Sequence, residues 1–320
     1  MWDLERGRVI REILRCRGKR ILFQAPEGLK LYVEREIEAI RRYFKDREDM
    51  EFIMWGGSAY GACDICDREG KYLGVDLLVH YGHEPLPYVK PEIPTVYVSA
   101  YYNPDREHLI EIYRDIDRIL KEYHNPVVAT TIQFKRILQL YNPYLILGCR
   151  GDIRLENNRD ILYIGSGRFH PLMLAYKFRR EVLTYNPISG EFSRIEREEV
   201  EGFIRRRLGI ISKLYLNPPR KIGVVLSTKK GQCRTGVFKR VIGILREKNI
   251  EYIPIVLDEI SPENLVYNVD AYVICACPRI ALDDYINYKK ILLTPREFEM
   301  YINRDFQYQL DEISPEDFKK

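Results

Sequence analysis

Short apolar runs that end abruptly, each followed by a stretch with helical spacing, constrain this 320-residue chain more than any other feature. Residues 20–24, 51–55, 76–80 and 95–99 are such runs, rich in β-branched and aromatic side chains. A run that is apolar on successive residues suits a strand covered on both faces, and strands alternating with helices imply βαβ units in a parallel sheet. The alternation recurs. Strands are expected at 127–130, 144–147, 161–164 and 182–185, with helices over 105–123, 134–141 and 171–179. A long charged helix is expected over 194–214, then strands at 221–226, 252–257 and 271–275, a helix over 236–248 and a helix-like tail. The expected fold is α/β: three similar domains, each a mostly parallel four-stranded sheet flanked by helices. Their boundaries fall at 1–104, 105–205 and 206–320.

Composition narrows the class. Hydrophobic residues make up 46% and charged residues 31%, as in soluble globular proteins. No run of eighteen apolar residues is present, so no membrane-spanning helix is expected. The first residues lack a basic segment followed by an apolar one, so the expected location is cytoplasmic. Fifty-one basic and 47 acidic residues leave a net charge of only +4, too balanced to indicate direct nucleic-acid binding. In a reducing cytosol, seven cysteines point to metal ligands or buried apolar residues before disulfides.

Cys63, Cys149 and Cys277 each follow an expected strand, one per section. The last is the clearest: Tyr272, Val273 and Ile274 read as a buried strand that Pro278 stops, having no N–H for the ladder. A thiol at the carboxyl end of a parallel strand sits where open α/β sheets hold ligands. Three equivalent βα units around a pseudo-threefold axis can point three loops at one centre. Three thiolates suit a [4Fe–4S] cluster with one iron open to substrate. The same residues allow other readings. Cys63 with Cys66 and Cys275 with Cys277 can make a four-thiolate zinc site, or the thiols can simply be buried. Cys16, Cys233 and Cys275 read as core or incidental; Cys66, one helical turn beyond Cys63, can face the site without ligating it.

Polar loops lie at the same strand ends. His80 and His83 can orient a substrate, ligate a metal or be neutral structural histidines. Gly165, Ser166, Gly167, Arg168, Phe169 and His170 suit a phosphate or carboxylate cradle of backbone N–H groups at a helix start, or a plain turn. The loop 228–234, with Gln232 in it, offers the same two readings. Arg150 and Arg279 stand beside proposed ligand cysteines, where a guanidinium eases reduction of an anionic cluster or forms a surface salt bridge.

Six motifs occur in order: Pro26-Glu-Gly-Leu29, Tyr60-Gly-Ala-Cys63-Asp64, Val79-His-Tyr-Gly-His83, Leu147-Gly-Cys149, Tyr163-Ile-Gly-Ser-Gly-Arg-Phe-His170 and Cys277-Pro-Arg-Ile-Ala-Leu-Asp-Asp284. Together, over residues 20–285, they are similar to the archaeal family that performs the first step of diphthamide biosynthesis, the 2-(3-amino-3-carboxypropyl)histidine synthases. The resemblance implies three α/β domains around a central [4Fe–4S] cluster, with Cys63, Cys149 and Cys277 as its ligands. It implies an unusual S-adenosylmethionine enzyme, and this chain indeed lacks the C-x-x-x-C-x-x-C motif of ordinary radical enzymes. In the family, reductive cleavage yields an aminocarboxypropyl radical that adds to C2 of a histidine ring on translation elongation factor 2, leaving methylthioadenosine. A homodimer and an electron donor are implied as partners. Tyr60, His80, His83, Gly165, Ser166, Gly167, Arg168, His170, Gln232 and Arg279 are the expected cofactor contacts, and Tyr60, Tyr81 and Phe169 can wall the adenine. Quinolinate synthase and the reductase for hydroxymethylbutenyl diphosphate share the three-cysteine architecture. The histidine motifs and the Cys277–Ile280 motif match neither as well. A non-catalytic subunit that carries electrons or zinc is the remaining reading.

Overall fold

The loops that follow strands of three mostly parallel sheets carry the residues read above as ligands and cofactor contacts. The computed structural model describes residues 2–155 and 159–318. Met1, which opens the amino-terminal stretch read above, lies outside the described residues, as do 156–158 of the second section and 319–320 of the third. The chain divides into two units, Met1–Pro171 with Val182–Arg194, and Leu172–Glu181 with Ile195–Lys320.

The first unit opens with β1 (Trp2–Asp3), α1 (Arg6–Cys16), β2 (Arg20–Gln24), α2 (Lys30–Tyr43), β3 (Glu51–Met54), α3 (Asp67–Tyr72), β4 (Leu77–Tyr81) and β5 (Thr95–Val98). The sheet order is β3-β2-β4-β5, parallel throughout. Alternation along β2 explains the double burial. Ile21 and Phe23 face Val33, Ile37 and Ile40 of α2, while Leu22 faces Ile65, Cys66, Val75 and Leu78 on the other side. Next come β6 (Tyr101–Tyr102), which pairs with β1, and α4 (Arg106–Glu122), whose amino end Asp105 caps by accepting from His108 N at 2.9 Å. The second sheet holds β7 (Val127–Thr130), β8 (Tyr144–Leu145), β9 (Ile161–Ile164), β10 (Val182–Asn186) and β11 (Glu191–Ile195), with α5 (Phe169–Phe178) after β9. Its order is β11-β10-β9-β7-β8, and β7 to β10 run parallel.

Three expectations change here. The middle sheet carries a fifth strand, β11, because 187–190 is too short to be anything but a hairpin connection. The expected helix over 134–141 is instead a spiral of i→i+3 bonds: Lys135 N to Ile132 O, Leu138 N to Lys135 O, Tyr141 N to Leu138 O. So short a segment does not repay α-helix nucleation. Cys66, read as one helical turn beyond Cys63, shares no helix with it: α3 begins at Asp67, because Asp64 turns back on its own loop.

The second unit contains α6 (Arg197–Leu216), β12 (Lys221–Ser227), α7 (Thr235–Glu247), β13 (Glu251–Leu257), β14 (Ala271–Cys275), α8 (Pro278–Leu282), β15 (Ile291–Leu293) and α9 (Pro295–Asn303). Its sheet is parallel in the order β13-β12-β14-β15. The helix-like tail thus contains a three-residue strand. Arg207 on α6 is buried against Glu297 on α9, with bonds of 2.7 and 2.6 Å and a third to Leu292 O.

All three sheets share one order. The first strand is flanked by the second on one side and the third on the other, and the fourth lies beyond the third. Ligands of such sheets bind where the order reverses, between the carboxyl ends of the first and third strands. Cys63 and Cys149 follow second strands, β3 and β8, whereas Cys277 follows a third strand, β14. The three cysteines therefore do not leave three equivalent βα units.

Candidate functional site

At the end of the first sheet, one side chain organises the rest. Gln24 closes β2 and is fully buried. Its Nε2 donates to Ser58 O at 3.0 Å and Asp64 O at 2.8 Å, and its Oε1 accepts from Cys66 N at 3.1 Å. The same oxygen lies 2.8 Å from His80 Nδ1, and His80 Nε2 lies 3.0 Å from His83 Nδ1. Burial holds His80 well below the ordinary imidazole range. It also brings His83 down to about 4, against the opposing pull of the Asp64 carboxylate. Both rings are neutral near pH 7. Gly82 between them has φ +84°, and a Cβ there would stand 3.1 Å from Pro26 Cγ and 3.2 Å from Leu29 Cδ1. Only glycine lets the Pro26–Leu29 motif close on the histidine motif. Gln133, from the loop after β7, donates to the Gly82 carbonyl, so the second sheet also touches this loop.

The loop 58–66 carries Cys63. Asp64 Oδ2 accepts from Ser58 Oγ at 2.8 Å and Tyr60 N at 3.3 Å, and Asp64 N donates to Gly61 O at 2.9 Å. Cys63 is half-buried and Tyr60 exposed, while Cys66 is buried in the core with Leu22 and Leu78. Burial, helped by the nearby Glu69 carboxylate, pushes the Cys66 thiol up, away from the thiolate.

At the end of the second sheet, Cys149 is half-buried after Gly148, and the adjacent Arg150 pairs with Asp152 at 2.7 Å. In the expected cradle, the Gly165 N–H is used in the sheet, donating to Tyr185 O at 3.0 Å. Ser166, Gly167 and Arg168 are exposed. Gly165 has no room for a Cβ, which would meet Tyr163 OH at 2.6 Å. That hydroxyl reaches His170 Nδ1 at 3.5 Å, and the two rings stack with centroids 5.9 Å apart.

The end of the third sheet is ionic. Arg234 is buried and holds Asp311 through bonds of 2.6 and 3.0 Å, Asp317 at 2.9 Å and Ala276 O at 3.4 Å. Two carboxylates keep this guanidinium charged despite burial. Lys229 pairs with Glu259 at 2.9 Å, and Gln232 is buried with its N–H on Lys229 O. The loop 228–234 is therefore braced by internal ion pairs; its Arg234 is not held out for a substrate carboxylate. Arg279 makes a surface pair with Asp283 at 2.8 Å. Cys277 is half-buried at the amino end of α8, whereas Cys275 is fully buried and burial pushes its thiol up.

No disulfide joins any of the seven cysteines. Among the described residues, no group of three or more His, Cys, Asp or Glu side chains is gathered to hold a metal ion. No helix among them is long and apolar enough to cross a membrane. Gln24, Asp311 and Asp317 are structurally central residues that sequence reading passed over, and Arg234 was read only as part of the loop 228–234. Gln24 carried one signal, a polar residue that closes β2 directly after the apolar run 21–23.

The family model described as a putative diphthamide synthesis protein matches residues 25–313. The chain is 49% identical to a 2-(3-amino-3-carboxypropyl)histidine synthase of Methanocaldococcus jannaschii, over 99% of this chain and 95% of that one. It is 34% identical to the protein of the same name from Pyrococcus horikoshii, over 97% and 94%. The crystal structure of Dph2 from Pyrococcus horikoshii superposes with a TM-score of 0.81 at 31% identity, covering 98% of this chain and 95% of that one. A second structure of that protein, with a 4Fe-4S cluster, gives 0.82 at 32% identity, with the same coverage.

Proposed function

Because the chain belongs to the diphthamide synthesis family, we propose that it is a transferase, a 2-(3-amino-3-carboxypropyl)histidine synthase holding a [4Fe–4S] cluster on Cys63, Cys149 and Cys277. The group transferred is the aminocarboxypropyl moiety of S-adenosylmethionine, and the acceptor is C2 of a histidine ring on translation elongation factor 2. The observation that carries this reading is 49% identity over nearly the whole of both chains. When bound, the cluster supplies the electron that opens the sulfonium to an aminocarboxypropyl radical and methylthioadenosine.

The donor chemistry fits such a group. The three assigned thiols are half-buried in the loops that follow β3, β8 and β14, where a ligand can reach them. The two that a four-thiolate zinc site would add, Cys66 and Cys275, sit in hydrophobic cores. The chain's other residues bind and orient. Neutral His80 and His83 line the end of β4 without adding charge. Exposed Tyr60 supplies an aromatic face for the adenine. Ser166, Gly167 and Arg168 offer backbone amides and a guanidinium to the amino-acid carboxylate, with His170, Gln232 and Arg279 as further contacts. The sections 1–104, 105–205 and 206–320 each contribute one cysteine. A homodimer, an electron donor and a cytoplasmic setting complete the reading, with no direct nucleic-acid contact.

The test is anaerobic. The purified chain, carrying about four irons, is reduced with dithionite in the presence of S-adenosylmethionine and elongation factor 2. Methylthioadenosine and a histidine heavier by one aminocarboxypropyl group are expected. Reduction that yields neither product overturns the reading.

A further inference from the structure

We propose that Gln24 is the positioning residue of this site: its one buried amide holds the loop carrying Cys63 and leaves Nε2 of His83 as a bare acceptor. The inference rests on the proposed function for its placement in an active site, but its geometry stands on hydrogen-bond accounting, with burial keeping both rings neutral. The amide NH2 has two protons, and two carbonyls take them, Ser58 O at 3.0 Å and Asp64 O at 2.8 Å. The flipped amide would set oxygen against both carbonyls and NH2 against the Cys66 N–H, so that orientation is excluded. Oε1 therefore faces His80 Nδ1 at 2.8 Å. An amide oxygen only accepts, so the proton of neutral His80 is on Nδ1 and its Nε2 is bare. His83 Nδ1, 3.0 Å from that nitrogen, must donate to it. The proton of neutral His83 is then also on Nδ1, and its Nε2 presents a lone pair to a hydrogen-bond donor, not to an anion.

The same amide spans three elements. It closes β2, reaches β4 through His80, and ties down both arms of the loop after β3, at Ser58 and at Asp64 with Cys66. Cys63 lies between those arms. A side chain so placed tunes a metal ligand without touching it, and losses at such positions weaken metal retention about ten-fold or more.

Long-range proton–nitrogen spectra of the full chain, labelled on its histidines and with the cluster oxidised, read the tautomers directly. His80 and His83 are expected to carry their protons on Nδ1 in the native chain. Gln24→Glu keeps an acceptor for His80 and the Cys66 N–H but cannot donate to Ser58 O and Asp64 O. It should retain the Nδ1 tautomers while the cluster is lost to a chelator about ten-fold faster. Gln24→Met should lose both properties. An Nε2–H tautomer at either histidine of the native chain overturns the proposal, even if the Met variant does not fold. So does native chelator resistance in Gln24→Glu. The tautomer spectra need no turnover, so a chain with the expected tautomers that releases no methylthioadenosine contradicts the proposed activity and leaves the role of Gln24 intact.

Discussion

The ends of the first and third sheets share a strand order and differ in what braces them. At the first, a neutral amide, Gln24, joins the end of the first strand to the third strand and to the cysteine loop. At the third, a charged guanidinium, Arg234, starts the helix after the first strand and reaches the third strand's end at Ala276 O. It also draws in Asp311 and Asp317 from the carboxyl-terminal tail. The topology is repeated, but the bracing was found locally. A neutral hub costs little to bury once its hydrogen bonds are met, whereas an ion network depends on every partner being present.

That contrast is best broken at Arg234. Arg234→Met strands Asp311 in a buried site and should cost about 3–5 kcal/mol in urea unfolding. Adding Asp311→Leu should recover much of the loss, because replacing a buried pair by apolar groups is often near neutral. A single variant within 1 kcal/mol of native, on the scale of about ±0.5 kcal/mol for surface changes, would show that the tail is not pinned by charge.

Acid should separate the two ends next. His80 and His83 are depressed by burial, so the unfolded chain takes up protons below about pH 6.5 while folded His83 resists until about 4. The contribution of these two histidines to stability is therefore constant above about 6.5 and falls towards 4, by about 1.4 kcal/mol per pH unit for each. Hydrogen-exchange protection, corrected for the slower intrinsic exchange in acid, should fall from pH 7 to pH 5 more at 77–83 than at 271–277. Equal loss of protection at both ends would remove the distinction. The smallest effect is expected at Gly82. Gly82→Ala must hold φ +84° and displace Pro26, at about 1–3 kcal/mol, and should loosen the first sheet's end alone.

Strands buried on both faces were legible from sequence. The runs at 20–24, 127–130, 161–164 and 271–275 match β2, β7, β9 and β14 because continuous apolar character leaves few alternatives. β8, β11 and β15 were blurred, cut short or missed, since two to five residues carry little periodicity and β11 abuts a charged helix. The three cysteines in loops after strands were legible too, and so was Cys275 as a core residue, but not the burial of Cys66; spacing is silent on which thiol of the Cys63–Cys66 pair a core encloses. Nor was the bracing. Asp311 and Asp317 lie 77 and 83 residues beyond Arg234, in a tail without pattern, and the role of Gln24 emerges only once 58–66 folds back over β2.

On the proposed reading, three half-buried thiols hold the cluster and two buried ones do not. Iron per chain, measured anaerobically in five single cysteine-to-alanine variants, reads this out. Cys63→Ala, Cys149→Ala and Cys277→Ala should each lose the cluster, while Cys66→Ala and Cys275→Ala keep about four irons. Native iron content in Cys149→Ala, or loss of the cluster in folded Cys66→Ala or Cys275→Ala, would rule this ligand set out.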